Sequence, residues 1–242
     1  MRRYLYLLSS LGILVWSPLA FSAESRGSQL YKLCEKCHGL HGEGNKDLLV
    51  PSIAGRAEWA VKLMLEKYKS GKLGKDPGDE PAIRMTSMAR MLNDKDIAAV
   101  SKFVSQMKPA KLEPTIVGDT DHGEAKYAVC SACHGKDAEG NQALNAPPLI
   151  GLPDWYIFKA TPKYLAATGR RGDVTVNPEG AAMVAGADTV KDEKDRRDVI
   201  DYIMALQGVR GKSEEKKESS NKEKATVMPS VEKKVEAPKE SK

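Results

Sequence analysis

The sequence predicts an all-α protein: two small helical domains in tandem, followed by a charged, disordered tail. Three observations predict it. Residues recur at an offset of 96 in one unbroken register, and apolar positions in the body repeat every three or four residues. No convincing run of alternating apolar and polar residues marks a strand.

The chain begins Met1-Arg2-Arg3, then an apolar run from Tyr4 to Trp16, then Ser17-Pro18-Leu19-Ala20-Phe21-Ser22-Ala23. That order of charge, apolar stretch and small residues is a secretory signal over 1–23, cleaved between about 20 and 23. The run is shorter than the roughly 20 apolar residues a span requires, so no integral membrane span is expected after cleavage. An uncleaved version, or peripheral association, would still tether the protein to a membrane. No cysteine follows the run closely, which argues against a lipid-modified amino terminus.

The repeat fixes the domain count. It pairs Gly27 with Gly123, Tyr31 with Tyr127, Cys34 with Cys130, Cys37 with Cys133 and His38 with His134. The register continues through Gly39/Gly135, Glu43/Glu139, Gly44/Gly140, Asn45/Asn141, Pro51/Pro147, Gly55/Gly151 and Trp59/Trp155, without a gap. A period this long is a small domain with its own core rather than a solenoid unit. The domains are expected at 24–108 and 120–211. Between them, 109–119 opens with Pro109 and contains Pro114, which suits a linker.

Helix signals follow in order. Trp59, Leu63 and Leu65 predict a helix over Glu58–Lys69. Asn93 is placed to cap a helix whose inward positions are Ile97, Val100, Val104 and Met107. Thr161-Pro162 suits an N-cap and first-turn proline for a short helix around Tyr164 and Leu165. The last helix runs from about Asp192 to Gln207 with Val199, Ile200, Ile203 and Leu206 inward and Gly208 as its stop. From 212 to 242 the composition collapses to Lys, Glu, Ser, Ala and Pro, with too few apolar residues to bury a face.

Charge excludes one function class. The net +5 is carried at the ends: two arginines in the signal, and nine Lys against seven Glu in the tail. The body keeps +1 and lacks the broad basic face that nucleic acid binding requires.

All 4 cysteines lie in two patches, Cys34-Glu35-Lys36-Cys37-His38 and Cys130-Ser131-Ala132-Cys133-His134. None is left for a separate disulfide framework or a lone thiol nucleophile. On a helix, cysteines at i and i+3 and histidine at i+4 share one arc. One face then presents two thiols, which add to the two vinyl groups of a haem, and an imidazole, which coordinates its iron. Two covalently bound haem c groups are therefore expected. Zinc and simple disulfides fit less well. A disulfide needs no following histidine, and a four-cysteine zinc site spaces its pairs by about 15–20 residues, whereas Cys37 and Cys130 stand 93 apart. The aromatic content of 6% agrees, because small domains gain from a large apolar cofactor at their centre.

The sixth iron position is sought downstream, where a thioether raises the potential. Between His134 and the last helix the one methionine is Met183. The first domain offers Met64, Met85, Met88 and Met91. Met64 has helical spacing with Val61, Leu65 and Tyr68 and reads as core. Met85 follows His38 by 47 residues, against 49 from His134 to Met183, and is read as standing in a loop before the last helix. Met85 is the expected ligand, with Met88 next. The predicted iron ligands are thus His38, Met85, His134 and Met183. His41 and His122 read as exposed histidines in turns.

At these residues the chain resembles tandem class I c-type cytochromes, nearest the cytochrome c4 type of bacterial diheme carriers. The likeness covers 27–208. It rests on Gly-x3-Tyr-x2-CxxCHG, the Gly44-Asn45 turn, Pro51-Ser52-Ile53-Ala54-Gly55, Met85, and Leu92-Asn93-Asp94-Lys95-Asp96-Ile97. The resemblance implies two cytochrome c-like helical domains, each around one covalently bound haem. It also implies that the carbonyl of Pro51 accepts a hydrogen bond from His38, and that of Pro147 one from His134. The second half departs from the type: Gly180-Ala181-Ala182-Met183-Val184-Ala185-Gly186 looks more like single-domain cytochromes c, and Arg170-Arg171-Gly172-Asp173 fills the stretch before it.

Iron closed on both axial faces binds no substrate and passes single electrons. The expected function is a periplasmic electron carrier rather than an enzyme. Its expected partners are redox proteins: a donor dehydrogenase or quinol-oxidising complex, and an acceptor oxidase or reductase. Two alternatives stand beside it. One is the cytochrome subunit of a larger dehydrogenase. The other is a diheme peroxidase or thiosulfate-oxidising haem protein with one open iron.

Overall fold

The computed structural model describes residues 24–165 and 171–209. The expected signal, 1–23, and charged tail, 212–242, lie outside the described residues, as does Arg170. The first domain consists of α1 (Arg26–His38), α2 (Glu58–Ser70), α3 (Glu80–Arg90) and α4 (Asp94–Ser105). The second consists of α5 (Thr120–His134), α6 (Asp154–Ala160), α7 (Pro178–Thr189) and α8 (Glu193–Leu206). Among the described residues no strand forms; two isolated bridges, Asn45 to Val50 and Asn141 to Ala146, close the loops after α1 and α5.

Each domain is built on its first and last helices, α1 against α4 and α5 against α8. Glycine sets the approach. A Cβ on Gly27 would collide with the Ala99 carbonyl, and one on Gly123 with the Asp198 carbonyl. The recurrence of glycine at these two positions is therefore a packing requirement. Leu30, Tyr31, Val100 and Val104 form the first core; Tyr127, Val199, Ile200, Ile203 and Met204 lead the second. Asn93 caps α4 through the Asp96 amide, Asp192 caps α8, and Gly208 turns the chain at φ 69°.

Three expectations need correction. Met85 does not stand in a loop but in α3, which begins with Glu80 and a first-turn proline at Pro81. Thr161 is not an N-cap: a 3-10 turn over Thr161–Tyr164 extends α6, and the Thr161 hydroxyl donates back to the Ile157 carbonyl. His122 lies in the first turn of α5 and is bonded, its Nδ1 standing 2.7 Å from the Asp198 carboxylate. The connecting segment is also anchored at its far end. Ile116 is buried in the second core, and the amides of Thr115 and Ile116 donate to the buried Asp154 carboxylate.

The two domains meet through repeat-related residues. Lys67 and Lys163 are 96 apart, and each reaches a carboxylate of the other domain: Lys67 stands 3.9 Å from Glu179, and Lys163 stands 2.7 Å from Asp79. Arg171 adds a second bond to Asp79 at 2.9 Å, with both side chains buried. Burial alone would raise the Asp79 carboxyl, but Lys163 and Arg171 outweigh it and hold it below the usual carboxylate range. A carboxyl depressed by folding stabilises the structure above its unfolded pKa of about 4 and loses that contribution as pH falls through the folded value. Acidification below about pH 4 is therefore expected to loosen the contact between domains before the domains themselves melt. Small-angle scattering across the acid range checks this; an unchanged radius of gyration down to the unfolding transition would contradict it.

Candidate haem sites

In each domain the three motif side chains close a helix. Cys34, Cys37 and His38 are in the last turn and a half of α1, and His38 is its final residue. Gly39 then takes φ 84°, a conformation costly for any side chain, and stops the helix. Gly135 does the same after His134, also at φ 84°. The motif thus faces out of the helix end toward the returning loop instead of along a continuing helix.

The loop supplies the anchor that the resemblance implied. His38 Nδ1 lies 2.9 Å from the Pro51 carbonyl and His134 Nδ1 lies 2.8 Å from the Pro147 carbonyl. A carbonyl only accepts, so Nδ1 carries the proton in both rings, and Nε2 is left with a free lone pair. Both histidines are buried, each with 7% exposure. Burial pushes the two imidazoles below the usual histidine range, against the opposing pull of the proline carbonyls, so both are neutral at pH 7. Tyr31 and Tyr127 brace the turns by donating to the carbonyls of Gly39 at 2.6 Å and Gly135 at 2.9 Å.

No disulfide joins the four cysteines. Cys34 and Cys130 are partly buried and pushed up to about 11 by that burial; Cys37 and Cys133 are exposed. Two S–H groups and one preoriented Nε2 on a single helix end are the donor set that a covalently held haem requires, and the residues fit it.

The methionines are divided between two settings. Met85 packs with Met64 and Leu65 against Tyr68, Leu73, Ala82 and Ala89, so the same apolar cluster holds the expected ligand and its expected core neighbour. Met88 is partly buried and Met91 is exposed at 61%. Met183 is partly buried on α7, which packs against α5, the helix that carries His134. His41 is exposed, as expected.

Sequence reasoning missed the residues that bind one site to the other. Ser52 donates to the Gly151 carbonyl at 3.0 Å, and Arg56 donates to the carbonyls of Ile150 and Pro148, both at 2.7 Å. Tyr68, buried, and Tyr164, partly buried, stand beside Arg171 with their hydroxyls pushed up by desolvation and occupy the same boundary. For Tyr68 and Tyr164 the signal was present, because extending the repeat register past Trp59/Trp155 reaches Lys67/Lys163 and Tyr68/Tyr164.

The fold and the two sites define a tandem c-type haem protein. A cytochrome c family profile matches residues 24–108 and again 121–207, and the chain belongs to the cytochrome c family. It binds two haem c groups covalently, one through Cys34 and Cys37 and one through Cys130 and Cys133. Among curated relatives it is similar to cytochrome c4 of Azotobacter vinelandii, 35% identical over 71 residues, or 29% of this chain and 32% of that one. It is also similar to the cbb3-type cytochrome c oxidase subunit CcoP of Rubrivivax gelatinosus, 29% identical over 116 residues, or 48% of this chain and 35% of that one. The chain thus spans about a third of the length of either relative. Among solved structures, cytochrome c4 of Acidithiobacillus ferrooxidans superposes with a TM-score of 0.57 at 23% identity, covering 72% of this chain and 98% of that one. Thiosulfate dehydrogenase TsdBA of Marichromatium purpuratum gives 0.55 at 23% identity, covering 74% and 39%.

Proposed function

We propose that this chain is an exported, periplasmic electron carrier, not an enzyme, in which each iron is held by histidine and methionine: His38 with Met85, and His134 with Met183. The observation that carries this reading is the repeated pairing of a buried, carbonyl-anchored imidazole with a partly buried methionine on the penultimate helix of the same domain. A haem bound in that way supplies one-electron exchange at an iron with no vacant position. The chain's own residues do the rest: the prolines fix the imidazoles, and the apolar clusters exclude water. Exposed Leu33, Leu40 and Leu48 lie near the first motif and Val129 and Leu144 near the second, which suits docking of redox partners through small apolar patches. With a body near neutrality, such docking depends weakly on salt.

A second reading, the cytochrome module of a larger redox complex, is favoured by the similarity to CcoP, an oxidase subunit, which covers 48% of this chain. Redox titration of the purified holoprotein separates both from an open-haem enzyme. Two one-electron waves and no uptake of carbon monoxide by the ferrous form are expected. Carbon monoxide binding at either site would contradict the carrier reading, and a companion enzyme that co-purifies at fixed stoichiometry would select the second.

A further inference from the structure

Arg56 starts in one domain and ends in the other. It follows Gly55 in the segment that begins at Pro51, and its guanidinium donates to the carbonyls of Pro148 and Ile150, both at 2.7 Å. Pro148 adjoins Pro147, whose carbonyl holds His134. Ser52, next to Pro51, donates to the Gly151 carbonyl at 3.0 Å. The two histidine-orienting segments are thus bonded directly to each other.

The charge at this junction is one-sided. The repeat counterpart of Arg56 is Leu152, so the matching position of the second domain carries no cation. Both acceptors of Arg56 are neutral carbonyls, and among the described residues no carboxylate forms an ion pair with it. Burial pushes the guanidinium down to about 10, which leaves it protonated at neutral pH. A buried cation held by neutral carbonyls, in a medium of lower dielectric than water, acts on a centre that gains or loses one charge. Ferric haem carries one positive charge more than ferrous haem, so the cation favours the reduced state.

We infer that Arg56 is a positioning residue for the second redox centre: its fixed charge, seated on the segment that orients His134, raises the potential of the second haem relative to the first. The inference rests on the reading of His134 as an iron ligand. It makes the second haem the preferred seat of a single electron on the half-reduced chain.

The test is redox titration of the holoprotein followed by nuclear magnetic resonance, with each haem assigned from its own methyl and axial-ligand signals. Arg56→Gln, which keeps a donor and loses the charge, is expected to shift the reduction equilibrium of the second haem about tenfold toward the oxidised state, about 59 mV for one electron, with a smaller shift at the first. Arg56→Lys keeps the charge without the planar fork and is expected to stay near the parent value. Ser52→Ala removes a bond across the same junction without changing charge, and is expected to lower thermal stability and leave both potentials in place. The inference is overturned if Arg56→Gln moves neither potential, if it moves both equally, or if Ser52→Ala or Arg56→Lys lowers the second as far as Arg56→Gln does. The His134 ring signals report ligation independently, so loss of that reading is distinguishable from failure of this one.

Discussion

Replacing Cys130 and Cys133 together with serine is expected to yield a chain that carries one haem and has lost the ordered second domain. The reason is the distribution of that domain's core. Tyr127, Val199, Ile200, Ile203 and Met204 lie between α5 and α8, while α6 is 7 residues long and α7, at 12 residues, buries only Gly180 and Ala187. A domain of this size gains too little from apolar burial to hold two short helices in place unaided. Cys130 itself packs against the core, so serine there also places a hydroxyl among apolar groups. Mass spectrometry of the denatured chain should show a single haem adduct, with haem absorbance per chain about half that of the parent. Circular dichroism should show the loss of part of the helical signal. A variant that retains two adducts, or one that keeps the full helical signal and a native thermal transition, would contradict this. The matching change at Cys34 and Cys37 is expected to be milder, because α2, at 13 residues, joins both α3 and α4 in an independent packing network.

Met183→Leu is expected to lower the potential of one haem steeply and to open that iron to carbon monoxide, with the other haem unchanged. Leucine matches methionine in volume and preserves packing within about 1.5 kcal/mol, so a loss of stability does not explain such a result. Axial ligands set haem potentials over a range of about 0.8 V, and loss of a thioether moves a centre well down that range. Met85→Leu is expected to do the same at the first haem, while Met64→Leu and Met88→Leu leave both potentials near the parent values. The comparison matters most for Met64, which shares an apolar cluster with Met85. If Met88→Leu gives the drop and Met85→Leu does not, the sixth ligand of the first iron is Met88. If no methionine variant changes ligand binding, the axial assignment fails in both domains.

What could be read from the sequence, and what could not, divides along physical lines. Covalent chemistry leaves a local mark: Cys34, Cys37 and His38 identify a haem site at once, because the spacing alone places them on one helical arc. The long helices α4 and α8 were equally legible, since their apolar spacing and their caps at Asn93 and Asp192 agree. α3 and α7 were not, although each opens with a first-turn proline, Pro81 or Pro178. α7 is rich in Ala and Gly and buries little, so its sequence carries no apolar stripe to read. The contact between domains was hidden for another reason. Arg56 and Ser52 act on backbone carbonyls, and a carbonyl has no sequence identity, so nothing pairs with them in the one-dimensional record. Lys67, Lys163, Asp79 and Glu179 form a reciprocal pair of bridges that shows only when the repeat register and the fold are set side by side.

Electron paramagnetic resonance of the fully oxidised holoprotein tests the central claim most directly, namely that both irons are closed by histidine on one side and methionine on the other. Two low-spin ferric centres of equal intensity, with no high-spin component, are the expected spectrum. A high-spin signal from a water-bound iron in the resting protein would contradict it and place this chain among haem enzymes.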